Sequence, residues 1–93
     1  MDYSKLSDIE IDTMVSKICS PEFHRNYCRN PADAWPIISG HHISIMYVEA
    51  LSKWCAGSPY WVDGCEWQLD IDVVNENPLR AAMILFLMIQ GDE

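Results

Sequence analysis

The residues best suited to chemistry in this 93-residue sequence are its cysteines and histidines. They are Cys19, Cys28, Cys55, Cys65, His24, His41 and His42. No two cysteines form a C-x-x-C pair, and the short-range ligand pairs are His24 with Cys28 and the adjacent His41-His42. Structural zinc sites usually bring two ligands from each of two tight knuckles. The spacing therefore predicts free thiols, no metal site and no cofactor.

A catalytic site would need a nucleophile or an acid–base pair held in a cleft. The candidate acid–base set is His41, His42, Asp33 and Glu49. The two histidines are better explained as a polar entry to a strand, and Cys28 with His24 lacks an identifiable group to orient it. We predict that the protein is not an enzyme. The alternative is a small enzyme or metal-binding protein that uses His41, His42 and Cys28.

Length and composition define the class of protein. Hydrophobic residues make up 49% of the chain, and its formal net charge is -8. That apolar fraction supports a core, so we predict one domain over residues 1–93. The longest apolar run, residues 81–89, is less than half of the roughly 20 residues that cross a bilayer, and the acidic start is unlike a signal peptide. We expect a cytoplasmic protein with no membrane contact.

Any site must be positioned around one apolar helix, predicted over residues 77–90. Asn77 can cap its first turn, and Pro78 suits its first position. From Leu79 to Ile89 only Arg80 is polar, so the helix has no solvent face and should lie in the interior. A small monomer covers such a helix with difficulty, so a homo-oligomer is a further expectation.

A second helix is predicted over residues 8–19. Ser7 and Glu10 have the spacing of a capping box. The predicted core stripe is Ile11, Met14, Val15 and Ile18. Asp12, Ser16 and Lys17 are assigned to the solvated face. A loop should follow this helix.

A third, short helix should follow Asn30-Pro31, which has the same cap-then-proline order as Asn77-Pro78. Pro36 should limit it to one or two turns, and Gly40 should provide a left-handed exit. The residues of this segment predicted to enter the core are Trp35, Ile37 and Ile38.

The middle of the chain has strand patterns. Strands are predicted over residues 43–48, 52–56 and 67–74, with a further strand segment at 60–62. Residues 57–59 should break the chain, and Asp63-Gly64 should form a turn. The predicted fold class is α+β: a small antiparallel sheet of three to four strands with the N- and C-terminal helices packed on one face.

The charged side chains indicate where a partner would bind. With six Lys and Arg against fourteen Asp and Glu, direct nucleic-acid contact is not expected. The predicted partner is a host or phage protein. The candidate interaction surface comprises Asp63, Glu66, Asp70, Asp72, Glu76, Arg25, Arg29 and Trp61. An ordinary solvated acidic face, and arginines paired with carboxylates of the same chain, would explain the same residues.

Several blocks of the sequence resemble a phage family. They are residues 1–8, 27–28, 30–38, 43–45, 53–56 and 77–84, and the string Asn-Pro-Leu-Arg-Ala-Ala-Met at residues 77–83 is the most specific. They look like the phage NinX-like family, which is encoded in the Nin region of lambdoid phages and in prophages and is a domain of unknown function. Residues 58–74 match least. The resemblance implies a phage or prophage accessory protein with no catalytic residues to carry over. We predict a non-catalytic protein-interaction module.

Overall fold

A computed structural model describes residues 3–19, 22, 25–62, 64 and 66–90, and only the backbone of residues 4, 58–62 and 66–72. A short 3-10 helix at Tyr3–Lys5 precedes the main elements. These are α1 (Asp8–Cys19), α2 (Pro31–Gly40), β1 (Ser44–Val48), β2 (Lys53–Val62), β3 (Glu66–Asn75) and α3 (Pro78–Gln90). The described strands form one antiparallel sheet in the order β1-β2-β3. The predicted α+β fold class is confirmed.

Helix α3 is the centre of the molecule. Each residue from Ala81 to Leu87 is 4% exposed or less, and α3 contacts all three strands as well as α1 and α2. Asn77 Oδ1 accepts a hydrogen bond from Leu79 N at 2.9 Å, which is the predicted cap. Burying each large apolar side chain contributes roughly 1.5–3 kcal/mol. A single chain covers these seven residues, so the reason given for expecting a homo-oligomer does not apply to them.

Helix α1 has the predicted limits and the predicted capping box. Ser7 N donates to Glu10 Oε1 at 2.9 Å, and Glu10 N donates to Ser7 Oγ at 3.1 Å. These reciprocal bonds satisfy two of the donors that a helix start leaves unpaired. Ile11 and Val15 are fully buried, as their spacing predicted.

The polar side of α1 differs from the prediction. Asp12 is 2% exposed and Ser16 6%, whereas Ile18 is 48% exposed. Asp12 and Ser16 are four residues apart, so they share a face of the helix. The segment that follows α1 folds back over this face: Cys28 N donates to Asp12 Oδ1. The predicted solvated face is therefore wrong for Asp12 and Ser16, and the predicted core position is wrong for Ile18.

Helix α2 is longer than predicted, with ten residues. Asn30 Oδ1 accepts from Ala32 N at 3.0 Å, as expected of a cap. Pro36 lies inside the helix without ending it. Its missing N–H leaves the Ala32 carbonyl without its usual partner, but both residues are exposed, so water can bond that carbonyl.

Two side-chain predictions for α2 are confirmed and two details are wrong. Ile37 and Ile38 are buried, but Trp35 is 62% exposed. The left-handed backbone conformation after the helix belongs to His42, with φ 54°, and not to Gly40. Gly40 remains the last helical residue, so the exit turn lies two residues later than predicted.

Strand β2 runs through residues 57–59, where a break was predicted. Strand β1 pairs with it from Val48↔Lys53 to Ser44↔Gly57 and extends no further. Pro59 therefore lies beyond the end of β1, where β2 pairs with β3 alone among the described strands, and such an edge position is where a sheet tolerates proline. The predicted turn is present at Gly64, with φ +71°, and it joins β2 and β3 into a hairpin.

The β2–β3 pairing contains a register shift. Ala56 pairs with Val73, whereas Ser58 pairs with Asp70, so β3 has one extra residue between these pairs. An extra residue in one strand is a β-bulge, and it interrupts the alternation of the two faces. Positions 70 and 73 therefore lie on the same face of the sheet, although strict alternation would place them on opposite faces. The predicted strict alternation along β3 is wrong across this bulge.

Candidate functional site

Cys28 is held by main-chain hydrogen bonds on both sides. Its N–H donates to Asp12 Oδ1 at 3.0 Å, and its carbonyl accepts from Asn77 Nδ2 at 2.7 Å. The buried carboxylate on α1 and the cap of α3 thus fix the same residue of the connecting loop. We call Asp8, Asp12, Cys28, Asn77 and Arg80 the helix junction.

Arg80 completes the helix junction. Its Nη1 lies 2.8 Å from Asp8 Oδ1, and its Nη2 donates to the Leu6 carbonyl. The Arg80 side chain is only 12% exposed. Arg29 approaches the other Asp8 oxygen at 3.7 Å, with a side chain that is 70% exposed. Arg80 therefore ties the start of α3 to the start of α1, and Arg29 adds a weaker surface pair.

The Cys28 thiol is poorly suited to nucleophilic chemistry. Burial raises the pKa of the thiol far above its ordinary value, and the hydrogen bond and negative charge of Asp12 raise it further. Only the thiolate is a strong nucleophile or metal ligand. The surroundings of Cys28 favour the protonated thiol, and the hydrogen bonds of its main chain join α1 to the start of α3.

The histidine pair lies at the end of α2. His41 and His42 are both exposed, and the His41 ring meets the edge of Phe86 with centroids 4.8 Å apart. Within the ranges that the structure describes, no three His, Cys, Asp or Glu side chains form a group that could hold a metal ion. Cys19, Cys28 and Cys55 carry reduced thiols. Predictions for His24 and Cys65 fall outside the described residues.

A cleft of about 320 Å³ lies between the end of α1 and the start of α2. Its lining consists of Cys19, Arg25, Tyr27, Ala32, Asp33, Pro36 and Ile37. Arg25 Nη1 lies 3.5 Å from Asp33 Oδ1, and Asn26 N donates to Asp33 Oδ2 at 3.2 Å. Sequence reasoning named Arg25 and Asp33 separately and missed the cleft. No local pattern indicated that these two helix ends converge.

The structure divides the predicted interaction surface between two regions. Arg25 and Arg29 belong to the loop between α1 and α2, and both pair with carboxylates of the same chain. The backbone positions of Trp61, Glu66, Asp70 and Asp72 lie in the β2–β3 hairpin. Glu76 is exposed just after β3, and Asp63 lies outside the described residues.

The hairpin region has a one-sided charge. Between Lys53 and Arg80 the sequence contains no Lys or Arg. The acidic residues of this stretch are Asp63, Glu66, Asp70, Asp72 and Glu76. In contrast, each of the three arginines of the chain forms an ion pair near α1 or α2. The hairpin region therefore carries negative charge alone, whereas the helical part of the molecule carries both signs.

The sheet face away from α3 carries a small apolar row. Met46 pairs with Cys55, which pairs with Val74. Their neighbours Ala56 and Val73 pack into the core, so this row faces the other way. Cys55 is 4% exposed, whereas Met46 is 46% and Val74 42% exposed. The side chains that flank the buried cysteine in the register remain accessible.

Comparisons with known proteins identify a family. No curated protein and no solved structure matches the chain. The described helices include none that is long and apolar enough to cross a membrane. The family model described as Bacteriophage P22, NinX matches residues 19–90, which is more than half of the chain and includes α2, the sheet and α3. The chain therefore belongs to the phage P22 NinX family.

Proposed function

We propose that this phage accessory protein is a non-catalytic interaction module that binds a basic host or phage protein through its β2–β3 hairpin. The observation that carries the proposal is the unmixed negative charge of the hairpin region. The three arginines are paired in the helical part, whereas residues 54–79 hold five acidic residues and no cation.

The shape of the hairpin supports this proposal. Beyond the Ser44↔Gly57 pair, β1 is absent, and Ser58–Val62 pairs only with β3 among the described strands. Five residues of extended chain span roughly 17 Å. This part of the hairpin is therefore a two-stranded ribbon without the third strand that supports its base.

Two aromatic residues occupy opposing positions near the end of the ribbon. Trp61 pairs with Trp67 in the register, one pair away from Val62 and Glu66. Tryptophan is enriched among the residues that dominate binding energy at protein interfaces. The aromatic residues would supply apolar contact to a partner, and the carboxylates elsewhere on the hairpin would attract its Lys and Arg.

The acidic charge favours a protein partner over a nucleic acid. Nucleic-acid binding depends on Lys and Arg that displace counterions from phosphates. Five carboxylates without an intervening cation would repel phosphates and would increase the association rate of a basic protein. We place the interaction in the cytoplasm of the host cell, where a phage accessory protein would meet host and phage proteins.

The surroundings of Cys28 and His41 favour an interaction module over a catalytic site. Burial and Asp12 keep the Cys28 thiol protonated, and His41 packs on Phe86. Neither arrangement provides the base and nucleophile in mutual contact that a hydrolytic site requires. An interaction module needs no such arrangement.

The proposal is tested by capture from host lysate at about 50 mM and about 500 mM salt, a range over which surface charges become screened. The tested variant is Glu66→Gln/Asp70→Asn. The control is Glu22→Gln/Glu49→Gln, which removes the same charge from two exposed residues outside the hairpin. We expect a specific basic protein that is captured at low salt, is lost at high salt and is lost with the hairpin variant only. Equal capture by both variants would contradict the proposal.

A further inference from the structure

We propose that a second copy of this chain pairs with β1, antiparallel and about a two-fold axis at Met46, so that two three-stranded sheets join into one. The residues involved are Ser44–Val48. This interface lies at the opposite edge of the sheet from β3. It does not depend on the proposed function, and it leaves the hairpin accessible to a different partner.

The two edges of the sheet differ in their protection against such pairing. Proteins commonly block an exposed edge with charged side chains, proline or a β-bulge. Strand β3 contains Glu66, Asp70 and Asp72 as well as the bulge. Strand β1 contains no charged residue, no proline and no register shift against β2. Among the described strands β1 pairs with β2 alone, so its outer N–H and C=O groups are available to another strand.

Both faces of β1 carry apolar side chains that are incompletely covered. Met46 is 46% and Tyr47 49% exposed, and as neighbours in a strand they lie on opposite faces. On one face Met46 continues the row of Cys55 and Val74. On the other face Tyr47 is held against Trp54, with ring centroids 5.1 Å apart. Exposed apolar groups on both faces favour a partner that extends the sheet over one that covers a single face.

The sequence of β1 is complementary to itself in the antiparallel direction. When Met46 lies opposite Met46 of the second copy, Ile45 lies opposite Tyr47, and Ser44 lies opposite Val48. A pair of an aromatic and a β-branched residue across two strands is favourable, and the two-fold axis forms the Ile45–Tyr47 pair twice. On the other face the two Met46 side chains join two apolar rows into one. A second copy therefore covers both faces of the strand.

The charge of the chain favours this contact over other contacts between copies. Each copy has a formal net charge of -8, so two acidic hairpins brought together would repel each other. Pairing through β1 places the two β3 strands at opposite edges of the joined sheet. With neighbouring strands about 4.8 Å apart, five spacings separate these strands by roughly 24 Å. This is about three Debye lengths at physiological ionic strength, so the repulsion is largely screened.

The test is sedimentation velocity of the protein from about 5 to about 500 μM, over which we expect the mass to rise from that of one chain toward that of two. Met46→Lys places two like charges opposite each other at the axis and should weaken dimerisation by at least about tenfold. Val74→Lys is the matched control. Val74 lies in the same row, is 42% exposed and undergoes the same change of charge, but it belongs to β3. It should leave the dimerisation constant within about twofold of the wild-type value.

Amide NMR of the labelled wild-type protein locates the contact without any substitution. On dilution, we expect the signals of residues 44–48 to shift and their outward amides to lose protection from hydrogen exchange. Met46→Lys should give the spectrum of the dilute wild-type protein outside the neighbourhood of residue 46. Its thermal midpoint should match that of dilute wild type, because Met46 is half exposed in the single chain.

Three results would overturn this proposal. They are the mass of a single chain up to about 500 μM, equal weakening by Met46→Lys and Val74→Lys, and concentration-dependent signals confined to α1, α2 or the hairpin. A single chain whose β1 signals shift only with a lysate protein would assign this edge to a strand of a different protein. Lysate capture through the hairpin should persist in Met46→Lys, so the two proposals fail separately.

Discussion

The helix junction and the β2–β3 hairpin use charge in opposite ways. At the junction, Asp12 is bonded by Cys28 N and Asp8 by Arg80, and both contacts join elements that are distant in the chain. Along residues 54–79 the sequence provides no cation for its five carboxylates. A charged side chain that stabilises the fold needs an oppositely charged or hydrogen-bonding group of the same chain nearby. A charged side chain that binds another molecule does not need one. The comparison suggests that the junction serves stability and the hairpin serves binding.

The largest expected effect concerns the helix on which both regions depend. Leu85 is 1% exposed at the centre of α3. Leu85→Asp would bury an unpaired carboxylate, which should lower the free energy of unfolding by more than about 4 kcal/mol and abolish the folded state. Circular dichroism during heating checks this. A cooperative transition at the wild-type midpoint would show that α3 is not the interior element.

The next effect separates buried from exposed ion pairs. Arg80→Met should cost roughly 2–3 kcal/mol, because it removes the bond to the Leu6 carbonyl and leaves Asp8 with only the longer, exposed Arg29 pair. Arg29→Met should cost no more than about 0.5 kcal/mol, since its pair is exposed. Urea denaturation of both variants measures the difference. If both variants lost the same free energy of unfolding, the Arg80 pair would contribute no more to stability than the exposed Arg29 pair.

A smaller effect compares two buried polar residues of α1. Asp12→Ala should cost roughly 1–3 kcal/mol because Cys28 N loses its acceptor. Ser16 is four residues later, and its buried Oγ has no hydrogen-bond partner among the described residues. Ser16→Ala should therefore leave the free energy of unfolding unchanged or raise it slightly. If Ser16→Ala lowered the free energy of unfolding as much as Asp12→Ala does, the loss of a buried side chain would explain both effects. The hydrogen bond from Cys28 N would then not be needed to explain the cost of Asp12→Ala.

Acid pH provides a graded test at the start of α1. Two hydrogen bonds with Ser7 lower the pKa of Glu10 below its ordinary value of 4.5. A lowered folded pKa means that the stabilisation is complete above the unfolded pKa and is lost as the pH falls through the folded value. Glu10→Gln keeps an acceptor but does not titrate. The stability difference between wild type and Glu10→Gln should stay constant above about pH 6 and shrink below about pH 4.5.

The smallest expected effect on stability belongs to the hairpin. Glu66→Gln/Asp70→Asn should change the free energy of unfolding by less than about 0.5 kcal/mol, and removing self-repulsion should make any change favourable at low salt. Thermal unfolding at two salt concentrations checks this. A loss as large as that of Arg80→Met would mean that the hairpin acids have structural partners, and the comparison would fail.

The parts of the fold that were predictable follow from local rules. The limits of α1, the Ser7 and Glu10 capping box and the Asn77 cap depend on residues a few positions apart. The interior position of α3 follows from the near absence of polar residues. Each of these is decided by spacing within one element, which the sequence contains directly.

The parts that were not predictable depend on contacts between distant segments. Asp12 is buried because Cys28, sixteen residues later, returns to bond it. The phase of β3 changes because of a bulge that is defined only by its pairing with β2. The cleft forms where two helix ends meet, and neither helix alone indicates it. Predicting these features requires knowledge of the tertiary arrangement, which the helical or strand periodicity of the sequence does not contain.

The most direct test of the binding account is to locate the contact on the protein. Amide NMR of labelled protein titrated with tetralysine, a basic probe, should give shift changes confined to residues 58–76. These changes should disappear at about 500 mM salt and in Glu66→Gln/Asp70→Asn. Shift changes centred on α1 or α2, or the same changes in the double variant, would contradict the assignment of binding to the hairpin.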